Sequence, residues 1–252
     1  MRFALLALAV LTCGLFSGFS YAADAPKGFS DAQRGSIEGI IKNYLTEHPE
    51  VIVDALKAAQ KRDEALAETK SKEAIAKTKD KIYDDPATPV GGNPKGDVTV
   101  VEFYDYQCGY CKMAQDAVEK LLQDDKNVKL LYKDFPILGP VSIEASKASL
   151  AAARQGKFVK FHDALMDVKD RLTSELILKT AKDVGLDTDK LKKDMEDEAI
   201  NKALQANLEL GRSIGVRGTP MFIVGDQIYP GAMQHEQLKK AVEAARAAKK
   251  KS

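Results

Sequence analysis

The chain has 252 residues, 44% of them apolar and 30% charged, with 38 lysines and arginines against 37 aspartates and glutamates. That length carries one full core and a smaller second unit. A formal net charge of +1 offers no electrostatic footprint for nucleic acid or an acidic membrane surface as partner.

The first 22 residues stand apart. Arg2 precedes the apolar run Ala4-Leu5-Leu6-Ala7-Leu8-Ala9-Val10-Leu11, and Ser20-Tyr21-Ala22 places small residues at the cleavage-determining positions. This reads as a secretory signal peptide over residues 1–22, cleaved after Ala22 and too short for a lasting membrane span. Lipid anchoring on Cys13 is the weaker reading, because Val10-Leu11-Thr12 lacks the small residue expected before an acylated cysteine. With the leader gone, Cys108 and Cys111 are the cysteines that remain. A pair this close in sequence staples almost nothing, so its presence in an oxidising compartment points to chemistry.

Residues 23–85 predict a helical stalk. Ser30 is an N-cap with Gln33 at the capping-box position, and Ile37, Ile40, Ile41, Tyr44 and Leu45 form a helical stripe. Pro49 ends that helix near His48 and opens the next, which carries Val51, Ile52, Ala55, Leu56 and Ala59 on one face. From Gln60 to Lys81 the pattern thins to Ala, Lys, Glu and Asp, with Leu66, Ile75 and Ile82 as sparse apolar marks; this predicts a solvated helix or semi-rigid arm. A helical hairpin of this size cannot bury its own stripe. Either it packs on the rest of the chain or it pairs with another copy, and the charged arm favours self-association.

The Pro/Gly-rich run 85–94 marks a boundary, and a second domain is expected over residues 86–252. A strand at about 97–105, a helix at about 109–123 and a strand from Val128 to Phe135 predict a βαβ unit with a parallel pair. Cys108-Gly109-Tyr110-Cys111 falls where the first strand hands over to the helix. Unpaired N–H groups and the partial positive charge of a helix start favour a thiolate there. Cys108 is expected to be exposed and to attack, with Cys111 on the same side of the first turn to resolve a mixed disulfide. Zinc is disfavoured because no second cysteine pair exists, and haem because Lys112 stands where a histidine is needed. Inert structural thiols remain the bland alternative.

Helices are expected from about 140 to 214, the last of them long or broken between Leu191 and Ile214. A hairpin follows, with strands Met221–Val224 and Gln227–Tyr229 about a Gly225-Asp226 turn, and a closing helix runs from Gln234 to Lys249. Glu102 sits in an otherwise apolar strand, either as a buried acid or on a solvent-facing edge. His162 is read as a helix-surface or satisfied core residue.

This order predicts an α/β thioredoxin fold with an inserted helical domain, preceded by an N-terminal helical oligomerisation segment. Val101-Glu102-Phe103 leading into Cys108-Gly109-Tyr110-Cys111, with Gly218-Thr219-Pro220 before a hairpin strand, resembles the DsbA family of periplasmic thiol-disulfide oxidoreductases over about residues 90–250. Phe29-Ser30, the Tyr44-Leu45 to His48-Pro49-Glu50 turn and the charged arm resemble its oligomeric branch of ScsC-like proteins and dimeric DsbA-type enzymes of intracellular pathogens.

The resemblance implies Cys108 as nucleophile and Cys111 as resolving cysteine, joined as a redox-active disulfide in the oxidised form. It implies a cis bond at Pro220, backbone pairing of substrate at Thr219, and Glu102 as a proton relay near Cys111. Gly109 and Tyr110 would modulate the site; they replace the Pro-His dipeptide of the best-known member, so a weaker oxidant is expected. No cofactor or metal is implied. The partners implied are exported proteins bearing cysteines, a membrane redox partner of the DsbB or DsbD type, and a second copy, with a trimer as the alternative. A binding protein or chaperone, and a metal-handling protein using cysteines across subunits, stand as rival readings.

Overall fold

A computed structural model describes residues 28–250; the expected leader, its cleavage point and Cys13 lie outside the described residues. The chain divides between Ala58 and Ala59 into two compact units. The first holds α1 (Asp31–Glu47) and the opening of α2 (Pro49–Lys77). The Ser30 hydroxyl accepts from the Gln33 N–H while the Gln33 side chain accepts from the Ser30 N–H, so two orphan donors of the first turn are satisfied. His48 breaks the helix and Pro49 opens the next. Among the described residues α1 buries none, and Ile40, Ile41, Tyr44, Ile52, Val53 and Leu56 are all exposed.

The second unit is built on a five-stranded sheet in the order β1-β3-β2-β4-β5. The strands are β1 (Val90–Gly92), β2 (Val98–Tyr104), β3 (Val128–Asp134), β4 (Met221–Val224) and β5 (Gln227–Pro230). β2 and β3 run parallel, joined through α4 (Gly109–Asp124), while β1 and β4 pair antiparallel to β3 and β2. Side chains alternate along β2. Val98, Val100 and Tyr104 face the larger core with Val118 and Leu121 of α4 and with Leu238 and Val242 of α10 (His235–Lys249). Val101 and Phe103 face a second core with Leu131, Phe135 and Ile223. Glu102 shares the parity of Val100 and Tyr104 and therefore lies on the face that α4 covers.

Between β3 and β4 stand α5 (Pro140–Ala153), α6 (Phe158–Asp167), α7 (Ser174–Asp183), α8 (Thr188–Met195) and α9 (Glu198–Ser213). The long stripe from Leu191 to Ile214 is two helices: Asp197 caps the second, its carboxylate accepting from the Ala199 N–H at 2.8 Å.

Two features differ from the sequence expectation. The stretch read as a charged arm does not stay solvated to its end. Ile75 near the end of α2 and Ile82 in α3 (Lys79–Tyr83) are fully buried in the second core with Phe103, Leu131 and Ile214. The Tyr83 hydroxyl donates to the Gly225 carbonyl at 2.8 Å. The helix breaks at Thr78, between the two isoleucines, so each of two successive helices contributes one apolar side chain to that core. The boundary segment also contains a strand, β1, held by pairing Val90, Gly91 and Gly92 with Leu131, Leu130 and Lys129. Its glycines are needed: a side chain on Gly91 would meet the Tyr132 ring, and Gly92 has φ +63° with the Val128 carbonyl where a Cβ would sit. The molecule is thus an α/β thioredoxin-like fold with inserted helices, preceded by N-terminal helices.

Candidate active site

β2 ends at Tyr104, and residues 105–107 turn the chain into α4, whose N-cap is Cys108. The residue therefore has extended backbone, and its sulfur, 3.4 Å from the Cys111 nitrogen, takes the place that a Ser or Asp oxygen would fill. Cys108 is not the exposed thiol that its position predicted. Only 7% of its surface reaches solvent, because the loop before β4 closes over it and the Cys108 thiol donates to the Thr219 carbonyl at 3.2 Å. The Thr219–Pro220 peptide bond is cis.

The two cysteines are free thiols with opposite electrostatics. Cys108 is lowered from its ordinary 9.0 to about 6. Donation from the Cys111 thiol contributes most; the Thr219 side-chain hydroxyl and the backbone N–H groups of Cys111 and Tyr110 add to it, and burial opposes them. Cys111 is fully buried, and desolvation pushes its thiol far up, with the neighbouring Cys108 and Glu102 adding in the same direction.

Glu102 occupies the buried alternative. It is 1% exposed, its Oε2 has no hydrogen-bond partner, and burial followed by the charge of Cys108 raises it from 4.5 to about 8. At neutral pH it holds its proton, beside a sulfur that has trouble carrying charge. Tyr110 and Met113, by contrast, stand exposed on the first turn of α4, and a side chain on Gly109 would meet open space. The structure thus brings Glu102, Cys108, Cys111 and Thr219 together and leaves Tyr110 at the rim.

Sequence reasoning missed the groups behind the loop. Asp105 is fully buried, and its carboxylate accepts from the Gln107 N–H at 2.8 Å, the Ile137 N–H at 2.8 Å and the Leu138 N–H at 3.0 Å. An Asp followed two residues on by a free N–H is a turn signature, but its distant donors are invisible to spacing. His162 is a core residue: its Nδ1 lies 3.0 Å from the Tyr106 hydroxyl, and the rings of Tyr104, Tyr132 and Phe158 pack against it. Burial lowers it to about 3, so the imidazole is neutral.

Among the described residues no helix is long and apolar enough to cross a membrane. Residues 99–243 match the model of the DSBA-like thioredoxin domain, and residues 33–65 that of the copper resistance protein ScsC N-terminal domain. A thioredoxin-like oxidoreductase from Silicibacter pomeroyi superposes with a TM-score of 0.65 at 44% identity, covering 67% of this chain and 97% of its own. The thiol-disulfide exchange protein alpha-DsbA2 of Wolbachia pipientis gives 0.66 at 34% identity, over 70% and 96%. A periplasmic thioredoxin-like protein from Salmonella enterica serovar Typhimurium gives 0.61 at 30% identity, over 67% and 95%. Among curated proteins, a Na(+)/H(+) antiporter NhaA of Salinispora tropica is 32% identical over 155 residues, 61% of this chain but only 24% of the antiporter, so the likeness spans about a quarter of that relative. With a buried Cys111, an N-capping Cys108 and the Thr219 carbonyl against it, the chain belongs to the DsbA-like thioredoxin family and is a thiol-disulfide oxidoreductase with its C-x-x-C site at Cys108 and Cys111.

Proposed function

We propose that the protein works in the periplasm on exported polypeptides, forming and isomerising their disulfides through Cys108-Gly109-Tyr110-Cys111. The observation that carries this reading is the unequal pair: a sulfur poised at about 6 on a helix N-terminus, backed by one that burial keeps protonated.

In the oxidising direction a substrate thiolate attacks the Cys108 sulfur of the Cys108–Cys111 disulfide. The S–S bond breaks, Cys111 leaves with the electron pair, and a mixed disulfide remains on Cys108. A second substrate thiolate then attacks the substrate sulfur of that bond, closing the substrate disulfide and releasing Cys108 as a thiolate. Cys111 is a poor leaving group unless a proton reaches it as the bond breaks, and Glu102, protonated at neutral pH, is placed to supply one. In the isomerising direction the Cys108 thiolate attacks a wrong substrate disulfide and leaves after rearrangement. A backbone segment of substrate lies across Thr219, next to the bonding sulfur.

The exposed apolar face of α1 and early α2 supports self-association through the N-terminal helices, as a homodimer or trimer. Two or three sites held around one client favour isomerisation over simple oxidation. A membrane redox partner of the DsbB or DsbD type would recharge the pair. The test is the resting redox state of Cys108 and Cys111, read by thiol alkylation of acid-quenched cells. A fully oxidised pair makes the protein an oxidase, a fully reduced pair an isomerase, and a stable mixture one enzyme working both ways. Retention of full activity by Cys108→Ala would instead favour a chaperone.

A further inference from the structure

We propose that Asp105 is a positioning residue that holds the apolar loop 136–139 in register with the Cys108 sulfur, so that polypeptides with apolar side chains beside their cysteines are preferred; this rests on the exchange reading above. Asp105 touches the redox pair through its backbone. Its carbonyl accepts the Cys108 N–H at 3.0 Å. The side chain of the same residue turns the other way and takes the Ile137 and Leu138 N–H groups on one oxygen. Those donors lie 32 and 33 positions along the chain. Gln107, immediately before Cys108, adds Nε2 donation to the Leu138 carbonyl at 3.4 Å and to the Ser142 hydroxyl at 3.1 Å.

What this clamp holds is apolar and exposed. Ile137 and Leu138 are 41% and 50% exposed, and Ile143 on the first turn of α5 is 40% exposed. Tyr110 and Met113 are exposed as well, and α4 itself fixes them. Exposed apolar side chains thus stand both on the loop that Gln107, next to Cys108, grips and on the helix that Cys108 caps. The helical shoulder needs no special device. The loop shoulder is irregular chain between the end of β3 and Pro140, and its backbone donors are met by one buried carboxylate. A displacement of about 1 Å at such a shoulder misplaces an apolar anchor without touching the sulfur. The predicted consequence falls on KM for apolar-flanked polypeptides, not on the reactivity of Cys108.

The experiment compares two cysteine-pair peptides, one with leucine and phenylalanine beside each cysteine and one with serine and glutamine, as substrates of the full-length oxidised protein. In wild type the apolar peptide has the larger kcat/KM. In Asp105→Asn, where one acceptor oxygen becomes a donor facing N–H groups, that preference falls about tenfold through KM, with kcat within about twofold. Leu138→Ser alone lowers the same ratio, and adding Asp105→Asn to it lowers it no further. Should Asp105→Asn not fold, Gln107→Ala, which removes only the donation to Leu138 and Ser142, lowers the ratio about threefold. An unchanged ratio, or equal loss on both peptides, overturns the positioning role while leaving exchange intact. A wild-type protein that reacts with neither peptide overturns both the exchange reading and this one.

Discussion

The rim and the floor of the site each hold a sulfur three residues from the other, and the two regions treat the same group in opposite ways. At the rim, Cys108 gains donation from the Cys111 thiol, and Thr219 and the N–H groups of the helix start add to it; together they outweigh partial burial. On the floor, Cys111 is the third residue of the same helix, its own N–H directed at the Cys108 sulfur, and burial with Glu102 nearby keeps its thiol protonated. The lesson is that within a single first turn one environment stabilises a thiolate and another forbids it. Exchange needs both, because a sulfur that attacks readily and one that returns readily cannot share one environment.

The largest effect should come from exchanging which sulfur is present. Cys108→Ser is expected to lower exchange by at least about a thousandfold, the loss of a catalytic nucleophile. Cys111→Ser should keep the first attack and stop there, so covalent enzyme–substrate complexes accumulate and are seen by mass spectrometry of acid-quenched reactions. Complexes that build up through Cys111 in Cys108→Ser would mean the roles of rim and floor are reversed.

Next in size is the pH response. Alkylation of the reduced protein should rise with a midpoint near 6 for Cys108 and leave Cys111 unreacted through pH 9. The folded value of Cys108 lies below its ordinary 9.0, so the thiolate stabilises the reduced fold fully above about pH 9, and that contribution disappears as pH falls through about 6. A single midpoint near 9 for both cysteines would remove the distinction between the two regions.

Glu102 tests the floor alone. Its folded value of about 8 lies above the ordinary 4.5, so the folded state holds a proton that the unfolded chain has lost, and the carboxyl weakens the fold progressively between those pH values. Glu102→Gln removes the titration. The stability of the variant relative to wild type should therefore grow with pH, reaching on the order of 4 kcal/mol by pH 8 in denaturant melts of the reduced protein. The same variant should slow exchange about tenfold near neutral pH, since Gln cannot deliver a proton to Cys111. A stability gap that is flat with pH would place Glu102 in contact with water.

The rim was the more legible of the two regions, and the reason is local. Capping at Ser30, the break at Pro49 and the placement of Cys108 before α4 each depend on residues within four positions of one another, and propensity and spacing read such features directly. The floor depends on contacts across the chain. Whether Glu102 is buried turns on α4 covering that face of β2, and whether Asp105 matters turns on N–H groups more than thirty positions away. β1 was hidden for a similar reason: three residues, two of them glycine, become a strand only because β3 offers an edge. Ile75 and Ile82 stand out in the sequence as apolar marks, but their cover, Phe103, Leu131 and Ile214, comes from distant parts of the chain that their charged neighbours do not signal.

The smallest effect probes the rim without disturbing the fold. Tyr110 is 66% exposed in the dipeptide between the cysteines, so Tyr110→His should leave stability within about 0.5 kcal/mol. A protonated imidazole there adds a positive charge beside the Cys108 thiolate. Charges at an exposed helix terminus are worth roughly 0.3–1 kcal/mol at low salt, and one pKa unit is about 1.4 kcal/mol. The Cys108 midpoint should therefore move down by about half a unit below pH 6.5 and recover in high salt, where the charge is screened. A shift several times larger, or one indifferent to salt, would mean that the dipeptide reaches the sulfur through a direct hydrogen bond, and that the rim is as tightly built as the floor.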